Sequence, residues 1–108
     1  MIIDQKILDS LTAAAKASPR LRMNYDLRNS AENGSQRMLN AIEPGTVMPI
    51  HRHRSSSETV DMVPGGNVLN VPAMQWHLLR SLESGTVLLE CKDGRWEPLG
   101  EGDVMAAF

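Results

Sequence analysis

The sequence contains a single cysteine, four aromatic residues and no long apolar run. Cys91 cannot form an internal disulfide, which argues against a disulfide-stabilised scaffold and fits a reducing compartment. The opening residues, MIIDQKILDS, lack the basic stretch and apolar segment of a signal peptide. No run approaches the roughly 18 apolar residues of a membrane-spanning helix. We therefore expect a cytoplasmic protein with no membrane partner.

An excess of positive charge is also missing. The 11 Lys and Arg residues against 13 Asp and Glu residues give a formal net charge of -2 and a pI near 5.9. Such a chain has no general attraction for phosphate backbones, so we expect no nucleic-acid partner and favour small molecules or proteins. A length of 108 residues suits one domain, residues 1–108, with a single modest core.

The first segment of the chain has the pattern of an amphipathic helix. Residues 4–17, DQKILDSLTAAAKA, place apolar side chains at helical spacing. Asp4 is a suitable N-cap, and the residue before Pro19 avoids helical dihedrals. We predict a helix over about residues 4–17.

After this segment the pattern changes to short strands. Polar and apolar residues alternate in 20–28 and 36–42, and five further strands are predicted in TVMPIHRH (46–53), ETVDMV (58–63), NVLNV (67–71), WHLLRSL (76–82) and TVLLECK (86–92). Their separators, PGG, ESG and KDG, are turn sequences. The pattern predicts a mainly β domain, an antiparallel barrel or sandwich over about residues 20–100, with the helix packed outside it.

Two of the three histidines lie one residue apart, in PIHRHRSSSE. On a strand, His51 and His53 would project from the same face. The RSSS run allows a bend that would return Glu58 to the pair, and His77 lies on a strand that could pair with the first. Three nitrogens and one oxygen suit one divalent metal ion, iron, manganese, nickel or zinc. The predicted metal ligands are His51, His53, Glu58 and His77.

A simpler interpretation of the same residues stays open. An HxH pair can be two exposed polar side chains at a strand edge, and Glu58 can be an ordinary surface charge. The metal site is favoured because every histidine of the chain falls into one scheme.

Polar residues on other strands are candidates for substrate binding and catalysis. An arginine fork or an amide could hold a carboxylate, phosphate or sugar hydroxyl, and the candidates on the early strands are Arg22, Asn24, Arg37 and Asn40. Glu90 and Lys92 share a strand face, so Glu90 could move protons near the metal while Lys92 binds substrate. The alternatives are solvent-facing positions for the first four and an exposed ion pair for the last two.

Four more residues receive structural interpretations. Trp76 could form a wall of the pocket, but a place in the core is favoured. Cys91 alternates with Val87 and Leu89 and is expected to be buried. Arg52 and Arg54 are expected to form a solvated outward patch.

The histidine segment resembles the cupin motifs. GTVMPIHRHRSSSETVDMVPG fits the first motif, G-x5-H-x-H-x4-E-x6-G, and GNVLNVPAMQWHLLRS resembles the second, G-x5-P-x-G-x2-H-x3-N. In the second motif Met74 stands at the usual glycine and Ser81 at the usual asparagine. Further stretches, including QRMLNAIEPGT and LESGTVLLECKDG, look like the WbuC-type cupin metalloproteins. This resemblance implies a small cupin, a jelly-roll-like antiparallel β-barrel with a bound divalent metal.

The resemblance also implies a function. WbuC-type proteins are linked to bacterial O-antigen and other surface polysaccharides, as in lipopolysaccharide biosynthesis. We expect a metal-dependent enzyme of carbohydrate or nucleotide-sugar metabolism, an isomerase or epimerase, with a sugar-derived ligand. The alternatives are a non-catalytic metal- or ligand-binding module of a biosynthetic assembly and an iron-dependent oxygenase. A homodimer could cover an open sheet edge.

The two motifs are unusually close together. Cupins insert at least a hairpin between them, whereas Gly65 and Gly66 are adjacent here. We therefore expect residues to be missing from the chain between Thr59 and Gly66, which a break in the backbone would reveal.

Overall fold

The structure, a computed structural model, describes residues 1–107, with residues 106 and 107 described by their backbone alone. Within this range the chain forms one α-helix, seven β-strands and a short 3-10 turn. In chain order they are α1 (Gln5–Ala17), β1 (Arg22–Asp26), β2 (Ser35–Ile42), β3 (Pro49–His51), β4 (Glu58–Met62), β5 (Val68–Val71), β6 (Val87–Asp93), the turn Glu101–Asp103 and β7 (Val104–Ala107). All strand pairings among them are antiparallel. The predicted mainly β fold with an N-terminal helix is confirmed.

The helix forms as its sequence predicts. Asp4 is the N-cap, and its side chain accepts a hydrogen bond of 3.1 Å from the amide of Ile7. The buried face of α1 carries Leu8, Leu11 and Ala15. No helix within residues 1–107 combines the length and apolar character needed to cross a membrane.

Five strands form one sheet in the order β1-β2-β6-β4-β5. Side chains alternate between its two faces, so each face has its own core. The face that packs against α1 contributes Leu39, Ala41 and Val87 to the first core, and the opposite face contributes Ile42, Val60 and Leu88 to the second. The sheet is therefore buried on one side by the helix and has a second apolar patch on the other.

A second, two-stranded sheet pairs β3 with β7. Met48, the residue before β3, packs into the second core. Met48 thus connects the start of the small sheet to the second core of the large sheet. Strand β7 was not predicted from the sequence, and β3 is shorter than the predicted strand 46–53.

The predicted strand 76–82 is wrong beyond its second residue. His77 forms a single antiparallel bridge with His51, but residues 78–82 have no strand assignment. Leu78 and Leu79 pack against the second core, and the amide of Leu79 points to the Met48 sulfur at 3.5 Å. Tertiary packing therefore accounts for the apolar pattern that resembled a strand.

The expectation that residues are missing between Thr59 and Gly66 stays a prediction. The residues present there belong to a hairpin in which β4 pairs with β5, with Asp61 opposite Val68. Gly65 and Gly66 occupy its turn with φ of 72° and 124°. A Cβ at Gly66 would lie 2.7 Å from the Met62 Cβ, so glycine is required at this position.

Truncation of the first core should destabilise the fold. Leu39 is 1% exposed on β2, so Leu39→Ala should lower the free energy of unfolding by about 3 kcal/mol through lost burial and a cavity. Leu82→Ala is the control, because Leu82 is 89% exposed and should change the value by less than about 0.5 kcal/mol. Urea denaturation measures both, and equal losses would contradict the assigned core.

Candidate metal centre

Backbone hydrogen bonds bring the three histidines together. The amide of His51 donates to the carbonyl of His77 at 3.0 Å, and the amide of His77 donates back to His51 at 2.8 Å. The amide of Met74 donates to the His53 carbonyl at 2.7 Å. The segment that carries His77 is thus held along the segment that carries His51 and His53.

The three imidazole rings converge on one another. One ring nitrogen from each of His51, His53 and His77 lies within 4.8 Å of the others. The ring centroids are separated by 4.3 to 5.3 Å. In the part of the chain that the structure describes, this is the one group of three potential His, Cys, Asp or Glu ligands that lies so close together.

Glu58 completes the group from the large sheet. It is 4% exposed at the start of β4, and its two carboxylate oxygens lie 3.1 Å from His77 Nε2 and 3.4 Å from His53 Nε2. Lys92, opposite Glu58 on β6, places Nζ 3.4 Å from Oε2. Burial raises the pKa of Glu58, but the contacts with both histidines and the charge of Lys92 outweigh it and lower that pKa. Glu58 is therefore a carboxylate at neutral pH.

Hydrogen bonds to backbone carbonyls fix the tautomers of two histidines. His51 Nδ1 lies 2.9 Å from the Pro49 oxygen and His77 Nδ1 lies 2.8 Å from the Gln75 oxygen. Because a carbonyl only accepts, each Nδ1 carries a proton, and in the neutral ring Nε2 has the free lone pair. This is the arrangement typical of metal-binding histidine.

The buried Nε2 atoms of His53 and His77 have no hydrogen-bond partner. They lie near the Glu58 oxygens without the alignment that a hydrogen bond requires. Orphaned buried nitrogens beside a carboxylate fit a divalent transition metal, which His51, His53, His77 and Glu58 would hold together.

The protonation of the histidines differs without a metal. Burial lowers the pKa of His51, and the neighbouring histidines lower it further. The contact with Glu58 raises the pKa of His77 against the effect of burial. His51 is therefore neutral at pH 7, and a metal at this site would compete with a proton for His77.

Met74 occupies a backbone conformation that favours glycine. Its φ is 70°, in the left-handed region, which costs a residue with a Cβ roughly 1–2 kcal/mol. Glycine would adopt this conformation without that cost. The amide of Met74 donates to the His53 carbonyl, which ties this loop to the histidine segment.

A cavity of about 950 Å³ extends from the histidines across the large sheet. It is lined by all four predicted metal ligands and by five of the six other predicted site residues, Arg22, Asn24, Asn40, Glu90 and Lys92. Strand register explains this grouping, because Asn24 pairs with Asn40 and Lys92 pairs with Glu58. Side chains at these positions share one face of the sheet.

Arg37 is not brought to this cavity, which corrects its predicted place. Its guanidinium donates to the Leu27 carbonyl and to Asn33 Oδ1 instead. Arg37 and Asn40 are three residues apart on β2, so their side chains point to opposite faces. The same alternation indicates Gln36 and Met38, which line the cavity and were not predicted.

Glu90 is a half-buried acid that lines the cavity. Asn40 Nδ2 donates to its Oε1 at 3.2 Å. Burial raises the pKa of Glu90, and the negative charge of Glu58 raises it further. Glu90 is therefore better able than an exposed glutamate to hold a proton near neutral pH.

The arginines of the HRHR segment were expected to form a free outward patch, but both pair with Asp103. Arg52 Nε lies 2.9 Å from Asp103 Oδ1, and Arg54 Nε lies 2.8 Å from Oδ2. The Arg52 guanidinium also lies 4.5 Å from the ring centroid of Trp76. Trp76 is half-buried under this arginine and outside the two cores. Asp103, Arg52 and Trp76 together tie the histidine segment to β7 and to the residue before His77.

Comparison with known proteins assigns the family. Residues 3–71 match the family described as domain of unknown function (DUF6016), and the chain belongs to it. The matched residues extend from α1 to β5 and include His51, His53 and Glu58. No curated protein and no solved structure matches the chain significantly.

Removal of the histidines should remove metal. We expect the double variant His51→Ala, His53→Ala to lose stoichiometric metal in elemental analysis, and His77→Ala or Glu58→Gln to bind metal more weakly, because each loses one ligand. Glu83→Gln, an exposed glutamate, is the control and should keep the wild-type content. Full metal retention in the double variant would contradict the site.

Loss of the Asp103 ion pairs should destabilise the fold in a pH-dependent way. The pKa of Asp103 lies below its ordinary value of 3.8, and the largest cause is the side-chain hydrogen bond from Arg52. The stabilisation is therefore present above that value and is lost as the pH falls through the lower folded-state pKa. Asp103→Asn should reduce the urea midpoint at pH 7 but not at strongly acidic pH.

Asp26→Asn is the matched control for this variant. Asp26 also accepts hydrogen bonds from an arginine, Arg28, but its side chain is 49% exposed. Exposed ion pairs contribute little, so its midpoint at pH 7 should change much less. Equal changes for the two variants would show that the Asp103 contacts are ordinary surface pairs.

Proposed function

We propose that this protein is a divalent-metal-binding cupin of the WbuC type that acts as a metal-dependent enzyme on a carbohydrate or nucleotide sugar. The observation that carries the proposal is the convergence of His51, His53, His77 and Glu58 in the wall of a cavity. Metal ligands at the surface of a ligand-sized cavity suit catalysis better than a fully enclosed structural site does. The link to O-antigen and surface-polysaccharide biosynthesis rests on the sequence resemblance.

The resemblance to cupins is supported by how the two motifs fold. The first motif supplies three of the proposed ligands and the second supplies His77, and the backbone bridge between His51 and His77 joins them. Met74 has the left-handed backbone conformation that favours glycine, which agrees with the glycine usual at this position of the second motif. We propose that the two sheets together form a jelly-roll-like barrel.

Each polar residue of the cavity has a proposed task. A bound divalent ion would supply Lewis-acid chemistry at a substrate carbonyl or hydroxyl oxygen. Glu90, half-buried and with a raised pKa, would take up or release a substrate proton. Lys92 lies against Glu58 and would hold that carboxylate in place while binding substrate oxygen atoms. These roles suit an isomerase or epimerase.

Homodimerisation is part of the proposal. Strand β5 is at an edge of the large sheet, and its Val68 and Leu69 are 62% and 50% exposed. An exposed apolar edge strand is usually paired or covered. A second copy of the chain would cover this edge.

Metal identification followed by a substrate screen tests the proposal. Protein purified without added ions is analysed for its metal, and nucleotide sugars are then incubated with it in D₂O. An isomerase or epimerase would exchange a carbon-bound substrate proton for deuterium, which NMR and mass spectrometry detect. Glu90→Gln should slow this exchange roughly 10²- to 10⁴-fold, because a general acid-base group is removed.

The control for this variant is Glu32→Gln, an exposed position away from the cavity, which should keep the wild-type rate. An unchanged rate in Glu90→Gln would remove Glu90 from the mechanism. If the protein binds metal and ligand but does not turn the ligand over, it is a non-catalytic binding module and not an enzyme. Oxygen consumption with bound iron would instead indicate an oxygenase.

A further inference from the structure

The unpaired buried polar atoms of the chain are gathered in the cavity. Among the described residues, five buried side-chain atoms have no hydrogen-bond partner, and all five belong to cavity-lining residues: Arg22 Nε, Gln36 Oε1, Asn40 Oδ1, His53 Nε2 and His77 Nε2. Buried polar groups are normally satisfied, so such a concentration indicates a place where a polar ligand binds. The two histidine nitrogens are accounted for by the proposed metal, which leaves three atoms.

The three remaining atoms have a defined chemistry. Gln36 Nε2 donates to the Gly94 carbonyl and Asn40 Nδ2 donates to Glu90. Each amide oxygen, an acceptor, is therefore buried and unpaired in a residue that lines the cavity, and Arg22 Nε is a buried, unpaired cationic donor in another such residue. A matching ligand carries an acceptor of negative charge for the arginine and N–H or O–H donors for the amides.

Arg22 and Asn40 lie close enough to bind one small ligand. Asn40 pairs with Asn24, so Arg22 is its diagonal neighbour on the same sheet face. Glu90 interacts electrostatically with Arg22 and receives the Asn40 hydrogen bond. Gln36 lies four residues from Asn40, roughly 13 Å along β2, and is opposite Lys92 at the metal end.

The charge around Arg22 favours an anion. Arg20 also lines this part of the cavity and interacts unfavourably with Arg22. The negative charge of the Glu90 carboxylate offsets this positive charge. Burial raises the pKa of Glu90, and the protonated form carries no charge to offset it. A carboxylate or phosphate group would pair with the guanidinium at its unpaired edge.

We propose that the cavity contains an anion subsite in which Arg22 binds the carboxylate or phosphate group of a hydroxylated ligand and Asn40 accepts a hydrogen bond from one of its hydroxyls. The ligand class is a sugar acid or a sugar phosphate. This subsite rests on the proposed function, because the metal centre at the other end of the cavity would receive the rest of the same molecule. It specifies the substrate class of that site and assigns the residue that selects for charge.

Isothermal titration calorimetry on the full chain tests the subsite with four probes. D-gluconate and D-glucose 6-phosphate carry both charge and hydroxyls, sorbitol has no charge, and hexanoate has no hydroxyls. We expect one of the first two to bind at millimolar concentration or below and the last two to bind at least tenfold more weakly. The difference between gluconate and the sugar phosphate identifies which anion the subsite prefers.

Substitutions assign the binding to the named residues. Arg22→Gln should weaken binding of the preferred anion roughly ten- to hundredfold, as expected for a lost charged hydrogen bond, and leave metal stoichiometry unchanged. Asn40→Leu should reduce the preference for gluconate over hexanoate. Arg37→Gln, on the opposite face of the same sheet, is the matched control and should bind the anion as the wild type does. If Arg22→Gln fails to fold in a thermal denaturation check, Arg22→Lys should still bind more weakly because it lacks the fork.

Titrations before and after removal of metal by a chelator separate the two proposals. A protein without a metal site would overturn the proposed function, whereas binding that depends on Arg22 would still support the subsite. Equal anion affinity in the wild type and in folded Arg22 variants would overturn the subsite. So would binding of hexanoate or sorbitol as tight as that of the hydroxylated anions, or no binding by either hydroxylated anion.

Discussion

The candidate site depends on the pair of backbone hydrogen bonds between His51 and His77. These two bonds join segments 26 residues apart in the chain, and they place one imidazole from the second segment among the two from the first. Strand β3 is short, and residues 78–82 form no strand, so this bridge rests on few neighbouring ladder bonds. The contacts of Arg52 with Asp103 and Trp76 act on the same segments. They tie the bridge to Asp103, the residue before β7.

The large sheet contributes the other half of the site through the division of its two faces. One face is apolar against α1, whereas the other combines an apolar patch with a polar set that includes Glu58, Glu90, Lys92 and Asn40. Burial of these polar groups is unfavourable unless partners are found within the protein or in a ligand. Glu58 gains the histidines and Lys92, while Glu90 accepts a hydrogen bond from Asn40. The fold thus accepts incompletely paired polar groups where a ligand can pair with them.

Much of this arrangement follows from sequence periodicity. The spacing of apolar residues predicts α1 within one residue at its start, and alternation predicts β1, β2, β4, β5 and β6. The HxH spacing and the bend after it correctly place His51, His53 and Glu58 together. The alternation of side chains along a strand would also have placed Arg37 and Asn40 on opposite faces and Gln36 on the same face as Asn40. This argument requires no knowledge of pairing partners.

Other features depend on tertiary contacts and have no local signal. Asp103 is remote in sequence from Arg52 and Arg54, so nothing in the HRHR segment indicates that both arginines share one acceptor. The leucines after His77 have a strand-like pattern because they are buried, although packing against Met48 and not a ladder buries them. The glycine pair at 65 and 66 was interpreted through a family pattern, whereas its own backbone conformation explains it as a tight hairpin turn.

X-ray absorption spectroscopy at the edge of the metal found in protein purified without added ions tests the central claim most directly. The account predicts a first shell of nitrogen and oxygen atoms with the multiple-scattering signature of three imidazoles. A shell without imidazole scattering, or protein without stoichiometric metal after growth in metal-replete medium, would contradict it.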